Sequence, residues 1–185
     1  MIKSKKMIFV KEKDGISYYL FKPSLFKLYY KDKKGRKEPS HRHSIGHLLH
    51  MMLYVLDGGY RILYATNSAD DSIAAYIIFI KSKDKIVRGS SKEDFYTVFL
   101  WTYPEFRLKG LATKLATVML HDLDIQYRYF YKTIDKDNWG SIKVAEKNGF
   151  LKFSDANKVG LAHKIIPVRE GKQYLYRFEN NKHHQ

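Results

Sequence analysis

The residues best equipped for chemistry stand in Tyr103-Pro104-Glu105-Phe106-Arg107-Leu108-Lys109-Gly110-Leu111-Ala112, with Asn138-Trp139-Gly140-Ser141 and Gly149-Phe150 downstream. The first run joins an aromatic stretch to a helical pattern through a basic turn that contains glycine. A helix N-terminus carries N–H groups without intrahelical partners and the positive end of a dipole, both suited to an anion. Gly110 allows close backbone approach, Ala112 adds little bulk, and Arg107 and Lys109 bring positive charge to the same place. These residues fit a pyrophosphate. A basic first turn on an ordinary surface helix has the same short pattern.

The elements that must position this turn follow from periodicity. Phe95 to Thr102 is a nearly continuous apolar and aromatic run, read as a strand buried on both faces. Beyond Arg107 the period changes: Leu111, Leu115 and Met119, with Ala112, Ala116 and Leu120, recur at helical spacing. Tyr127 to Ile134 returns to strand, and Asn138 to Asn148 is a short helix ended by Gly149. Upstream, Ile16 to Phe21 is a strand between Gly15 and Pro23. Ser40 or Ser44 caps a helix over His47 to Leu56 that stops at Asp57-Gly58-Gly59. Tyr60 to Thr66 and Ile73 to Ile80 form a hairpin across Asn67 to Asp71, and Asp84 to Lys92 is a polar loop. After Phe150 come strands at Leu151 to Phe153 and Tyr174 to Phe178. Between them, Ser154 to Lys172 reads as a long loop containing Gly160, His163, Pro167 and Gly171. The order predicts one α/β (α+β) domain over 1–185, with a mixed, mostly antiparallel sheet of six to seven strands and helices on both faces. A basic loop at 30–42 and a frayed tail at 180–185 are its exposed parts.

Composition bounds the function. At 185 residues, 44% hydrophobic and 15% aromatic, the chain is long and apolar enough for a core. It has no cysteine, which excludes a disulfide framework, a thiolate nucleophile and thiolate metal ligands, and agrees with a reducing cytosol. The first apolar run ends at Lys11, too short for a secretory signal, and no run reaches the roughly eighteen apolar residues of a membrane span. A cytoplasmic protein without a membrane partner is expected. The net charge of +15 favours a polyanionic partner such as nucleic acid, anionic lipid or a phosphorylated cofactor. The lysines are spread along the chain rather than massed, so a solvated surface explains them equally well.

The segment Leu100-Trp101-Thr102-Tyr103-Pro104-Glu105-Phe106-Arg107-Leu108-Lys109-Gly110-Leu111-Ala112 resembles the acetyl-CoA-binding motif of the GNAT superfamily of N-acyltransferases. There a strand and Pro-Glu-aromatic lead into Arg/Gln-x-x-Gly-x-Gly/Ala at the start of a helix. Asn138 to Phe150 is similar to that family's Asn-x-x-Ser/Ala helix with its Lys-x-Gly-Phe exit. The separation leaves room for one helix and one strand, as the family requires, and the resemblance runs from about Ile16 to Phe178. It implies acetyl-CoA as donor cosubstrate, with backbone amides around Leu108, Lys109, Gly110, Leu111, Ala112 and Thr113 on the pyrophosphate and Arg107 beside them. It implies that Leu100, Trp101 and Thr102 pair with the pantetheine arm, and that Asn138 contacts the cofactor or its neighbouring backbone. Ser141 lies on the same helical face. Read from the residues alone, Asn138 as a plain helix cap and Ser141 as a small packing residue fit equally well.

The family reaction is direct attack of an amine on the thioester. It needs a base for the amine, a donor for the oxyanion and, in many members, an acid for the leaving thiolate. A backbone N–H near Trp101 or Thr102 suits the oxyanion. Many members carry an acidic tyrosine where this chain has Ala145, and the strand Phe95 to Trp101 contains no carboxylate. Candidate acid–base groups are therefore Asp94 and Glu105 at its ends, His47 or His50 on the predicted first helix, and Ser141. His43, His47 and His50 share a helical spacing, but no metal site is expected from them. The leading expectation is an N-acetyltransferase acting on a primary amine of an unidentified acceptor, for which the basic charge makes an anionic or phosphorylated one a candidate. A non-catalytic acyl-CoA-binding module and a basic nucleic-acid-binding protein are the alternatives, the latter without a recognisable motif.

Overall fold

Strand Ile73–Lys81 is buried along all but its last residue, which is the mark of a central strand, and its neighbours build outward from it. The computed structural model describes residues 7–32, 45–160 and 163–180, with the side chains of 45–48 and 50 excepted. Among the described residues there are nine strands: β1 Met7–Lys13, β2 Ile16–Phe21, β3 Arg61–Asn67, β4 Ile73–Lys81, β5 Phe95–Thr102, β6 Tyr129–Asp135, β7 Leu151–Val159, β8 Lys164–Val168 and β9 Gln173–Glu179. Four α-helices accompany them: α1 Ile45–Leu56, α2 Lys83–Ile86, α3 Leu111–His121 and α4 Trp139–Lys147. The α/β class with a mixed, mostly antiparallel sheet is as expected; the strand number is higher than the six to seven expected.

The chain gathers into two compact units, Met1–Phe79 with Phe99–Leu123 and Ile80–Val98 with Asp124–Gln185. In the first, β1, β2, β3 and β4 pair antiparallel in that order. Tyr64 sits at its aromatic centre, with ring centroids 6.1 Å from Phe21, 5.9 Å from Tyr30 and 6.2 Å from Tyr76. Helix α3 buries Leu111, Leu115, Ala116, Val118, Met119 and Leu120 and touches β3. The buried Asp32 carboxylate ties the segment before the basic run to β4 by accepting from the Ile73 N–H at 2.9 Å.

In the second unit the order is β5-β6-β9-β7-β8, with β5 and β6 parallel and the other pairs antiparallel. Phe130 anchors it, stacked on Phe95 at 5.2 Å and edge-on to Tyr127 at 4.5 Å. The α4 exit at Gly149 (φ +77°) hands the chain to Phe150, which packs on Phe178 at 5.6 Å.

Several expectations need correction. Ser154 to Lys172 is not a loop: β7 runs through Val159 and pairs with β8 across a turn at Gly160. Pro167 is accommodated because β8 is an edge strand, where a missing N–H costs no ladder bond. Strand β1 was not expected, since its Lys11-Glu12-Lys13 end masks the alternation and its edge position leaves Ile8 and Phe9 exposed. The polar loop Asp84 to Lys92 opens with the short helix α2, which buries Ile86. Strand β5 is buried only along Phe95–Thr97, because its recorded ladder with β6 ends at Thr97↔Lys132 and Val98 lies beyond it, exposed. The expected caps Ser40 and Ser44, most of the 30–42 loop, and the tail beyond Asn180 lie outside the described residues.

Candidate active site

In the first unit, the connection from β5 to α3 is pinned at its start, where the Tyr103 N–H donates to the Ala74 carbonyl at 2.9 Å. Pro104 then opens a 3-10 turn over Pro104–Phe106, closed by the Phe106 N–H to Tyr103 and the Arg107 N–H to Pro104. Two residues beyond it take left-handed backbone: Leu108 at φ +61° and Gly110 at φ +70°. Gly110 does this without strain. Leu108 pays about 1–3 kcal/mol for it while its side chain stands fully in solvent.

The turn delivers the helix start in an open state. Gly110 is the N-cap of α3 and has no side chain to accept from the first turn. Its carbonyl accepts the first helical bond, from Lys114 at 3.0 Å, so the N–H groups of Gly110, Leu111, Ala112 and Thr113 have no intrahelical acceptor. A Cβ built on Gly110 meets nothing within 4 Å, so the backbone is open beside this residue.

The cations beside the turn are not equivalent. Arg107 is braced: its Nε donates to the Thr102 carbonyl at 3.0 Å and its guanidinium carbon lies 4.9 Å from the centre of the Trp101 ring. Trp101 in turn stacks on Phe99, and Phe99 on Tyr76. Lys109 is exposed, with its Nζ 5.7 Å from the Phe106 ring centre. Lys114 is spent on an ion pair with Asp14 at 2.6 Å. Near the end of β5, Trp101 Nε1 and Thr102 Oγ1 are buried polar atoms with no hydrogen-bond partner, and Leu100 between Phe99 and Trp101 is half-buried. Orphaned donors of this kind are uncommon and ask for a ligand group or water. The residues present thus fit a phosphorylated cofactor: amides without an intrahelical acceptor, a fixed guanidinium and unused donors on the strand before them.

In the second unit, Asn138 caps α4, its Oδ1 accepting the Ser141 N–H at 3.1 Å. The cap consumes that oxygen, and leaves the Asn138 Nδ2 without a hydrogen bond to a described residue. Ser141 is the third residue of the helix, half-buried, held through its backbone. Ala145, at the position where an acid is missing, is buried.

The acid–base candidates come out differently from one another. Asp94 is buried, and its two oxygens accept the Ser91 N–H at 2.7 Å and the Tyr129 N–H at 3.1 Å. That is a staple joining a turn to β6, with both carboxylate oxygens engaged by backbone N–H groups. Glu105 is exposed in the 3-10 turn. His47 and His50 lie on α1, whose side chains at these positions are not among those described, and His43 lies outside altogether. Among the described residues no three His, Asp or Glu gather as a metal site, and no helix is long and apolar enough to cross a membrane. Sequence reasoning missed Lys132 and Thr97, a buried lysine and a buried threonine on paired positions of β6 and β5. A lone lysine amid the apolar run Phe130 to Ile134 was the signal available.

Comparison with known proteins gives the family and the fold. The model of the "Acetyltransferase (GNAT) family" matches residues 23–150. No curated protein matches the sequence. Among solved structures, the ribosomal-protein-S5-alanine acetyltransferase of Vibrio fischeri is similar with a TM-score of 0.57 at 11% identity, over 95% of this chain and 98% of that one. The microcin C7 self-immunity acetyltransferase MccE, in complex with acetyl-CoA and AMP, gives 0.55 at 16% identity over 91% and 94%. YncA of Salmonella typhimurium, with its cofactor acetyl-CoA, gives 0.52 at 16% identity over 76% of each chain. At these identities the likeness is one of fold, whereas the family model covers well over half the sequence: this chain belongs to the acetyltransferase (GNAT) family and is a GNAT-family N-acetyltransferase.

Proposed function

We propose that the protein transfers an acetyl group from acetyl-CoA to a primary amine of an anionic or phosphorylated acceptor, by direct attack. The observation that carries the donor half is the Leu108–Gly110 turn, which spends backbone strain to hold four helix-start amides open. Acetyl-CoA supplies the acetyl group as an activated thioester. The amides of Leu108, Lys109, Gly110, Leu111, Ala112 and Thr113 hold its pyrophosphate, with Arg107 and Lys109 neutralising charge. Backbone of Leu100, Trp101 and Thr102 holds the pantetheine arm, and a backbone N–H near Trp101 or Thr102 steadies the oxyanion. In the second unit, Asn138 contributes through Nδ2, since its oxygen is committed to Ser141. Water carries the amine's proton away from the site, with Glu105, His47 and His50 as the groups the sequence offers to assist it.

The acceptor class rests on the charge of +15. The relative described with acetyl-CoA and AMP lends support to a nucleotide-linked acceptor, and the ribosomal-protein acetyltransferase to a polypeptide amine. The test is thiol release from acetyl-CoA against a panel of primary amines: neutral amines, amino sugars, peptide N-termini and aminoacyl or amino-bearing nucleotides. Turnover should be best with the phosphorylated members and should weaken as salt is added. Turnover confined to neutral or cationic amines would refute the anionic acceptor, and no turnover with any amine would refute the reaction.

A further inference from the structure

Lys132 lies in the interior of β6 at 7% exposure, its cation 5.6 Å from the centre of the Phe150 ring. It makes no hydrogen bond or ion pair with a described residue, and burial lowers its pKa to about 8. Register places Thr97 of β5 on one side of it and Tyr176 of β9 on the other, and residues paired across strands share a sheet face. The Thr97 hydroxyl is buried and has no hydrogen-bond partner. The Tyr176 hydroxyl donates to the Glu146 carboxylate at 3.3 Å, and Glu146 is exposed. The recorded β5–β6 ladder stops at this row, although β6 continues to Asp135. Lys132 and the unpartnered Thr97 hydroxyl therefore belong to residues paired across β5 and β6 in the row where strand pairing ends. An ammonium and a hydroxyl together suit a lone-pair atom that carries or develops negative charge. The buried face of α4 offers only Ile142 and Ala145, and the acid of this helix, Glu146, meets the row at its exposed end through the Tyr176 hydroxyl.

Resting on the acetyl-transfer reading, we propose that Lys132 gives a proton to the sulfur that departs during transfer, with Thr97 donating a hydrogen bond to the same atom. The acceptor nitrogen bonds to the acetyl carbon and loses a proton to water. The carbon–sulfur bond breaks, its electron pair goes to sulfur, and the sulfur takes a proton from the Lys132 ammonium. The neutral amine then regains a proton from solvent, so the net products are an N-acetyl amide and a thiol. The titratable groups facing the row are Tyr176, held above its ordinary range by burial, and Glu146 at the exposed end, which connects it to water.

The test uses the full chain with lysine labelled with carbon-13 at Cε, and assigns Lys132 by its absence in Lys132→Arg. The spectrum is titrated with coenzyme A and with desulfo-coenzyme A, the same molecule without its sulfur. Coenzyme A should move the Lys132 resonance and its pH midpoint, and desulfo-coenzyme A should bind while leaving both near their ligand-free values. Equal responses to the two ligands, or no response while coenzyme A binds, would overturn the proposal and leave the acetyl-transfer reading standing. Failure of coenzyme A to bind at all would overturn both. As a second readout, Lys132→Met should keep coenzyme A affinity nearly unchanged and slow thiol release by on the order of a hundredfold. Full turnover in a folded Lys132→Met protein would also overturn the proposal.

Discussion

Lys132 shows how one residue sets both stability and chemistry. Its pKa is lower in the folded chain, about 8, than in an unfolded one, so the charged form opposes folding. Between about pH 8 and the ordinary lysine range the unfolded chain binds more protons, and stability rises with pH across that window. Lys132→Met should therefore raise the melting temperature at pH 7, by the equivalent of a few kcal/mol, with the gain shrinking as pH approaches 10. A thermal denaturation series from pH 6 to 10 checks this, and a Met variant less stable at neutral pH would contradict it. Asp155 behaves in the opposite sense. The Lys136 ammonium at 2.6 Å, then the Gly171 N–H and Lys152, hold its carboxyl at about 2. The stability it contributes is present above the ordinary carboxylate range and is lost as pH falls through about 4 towards 2. Asp155→Asn should flatten the acid limb of a denaturation profile there. Asn138→Ala removes the acceptor for the Ser141 N–H and should cost about 1 kcal/mol through the α4 cap, visible as a lower melting temperature.

At the scale of elements, the connection from β8 to β9 lies against β7 at a backbone approach that a single methyl would break, and the β7–β8 hairpin turn offers the contrast. A Cβ on Gly171 would lie 2.6 Å from the Ala156 carbonyl oxygen and 2.8 Å from its carbonyl carbon and nitrogen, and main chain cannot step aside. Gly160, in the hairpin turn at φ +69°, has open space and only a conformational demand. Gly171→Ala should thus destabilise by roughly 1–3 kcal/mol or more and Gly160→Ala by about 1, measured by urea denaturation. Equal costs would show that the close approach does not exist in solution. The same hairpin marks the limit of what the sequence made legible. Elements buried on one face or both, such as β2, β4 and α3, were readable because burial forces a period. Strands β1 and β8 are edges, where solvent admits lysine, glutamate and proline, so their alternation is lost among charges. For the site, the turn proposed to hold the anion is legible in the sequence because its residues are local: Arg107, Gly110 and Ala112 stand within six consecutive residues. Arg107's brace on Trp101 and Thr102, the Asp94 staple and the Thr97–Lys132–Tyr176 row depend on pairings distant in sequence, which no spacing encodes.

Across the whole molecule, a charge of +15 serves a reaction whose donor is itself a polyanion. Exposed cations act at long range and are screened by salt, whereas the Leu108–Thr113 amides, in the donor site proposed above, would act at contact and carry direction. Affinity for acetyl-CoA should accordingly fall with ionic strength yet persist at high salt through the amides. The most direct measurement is a nitrogen-15 amide spectrum of the full chain titrated with acetyl-CoA. The expected result is that the largest shifts fall on Leu108, Lys109, Gly110, Leu111, Ala112 and Thr113, saturating with a single affinity. Saturating binding that leaves those amides unmoved, or no shift anywhere at millimolar acetyl-CoA, would contradict the assignment of the donor site to this turn.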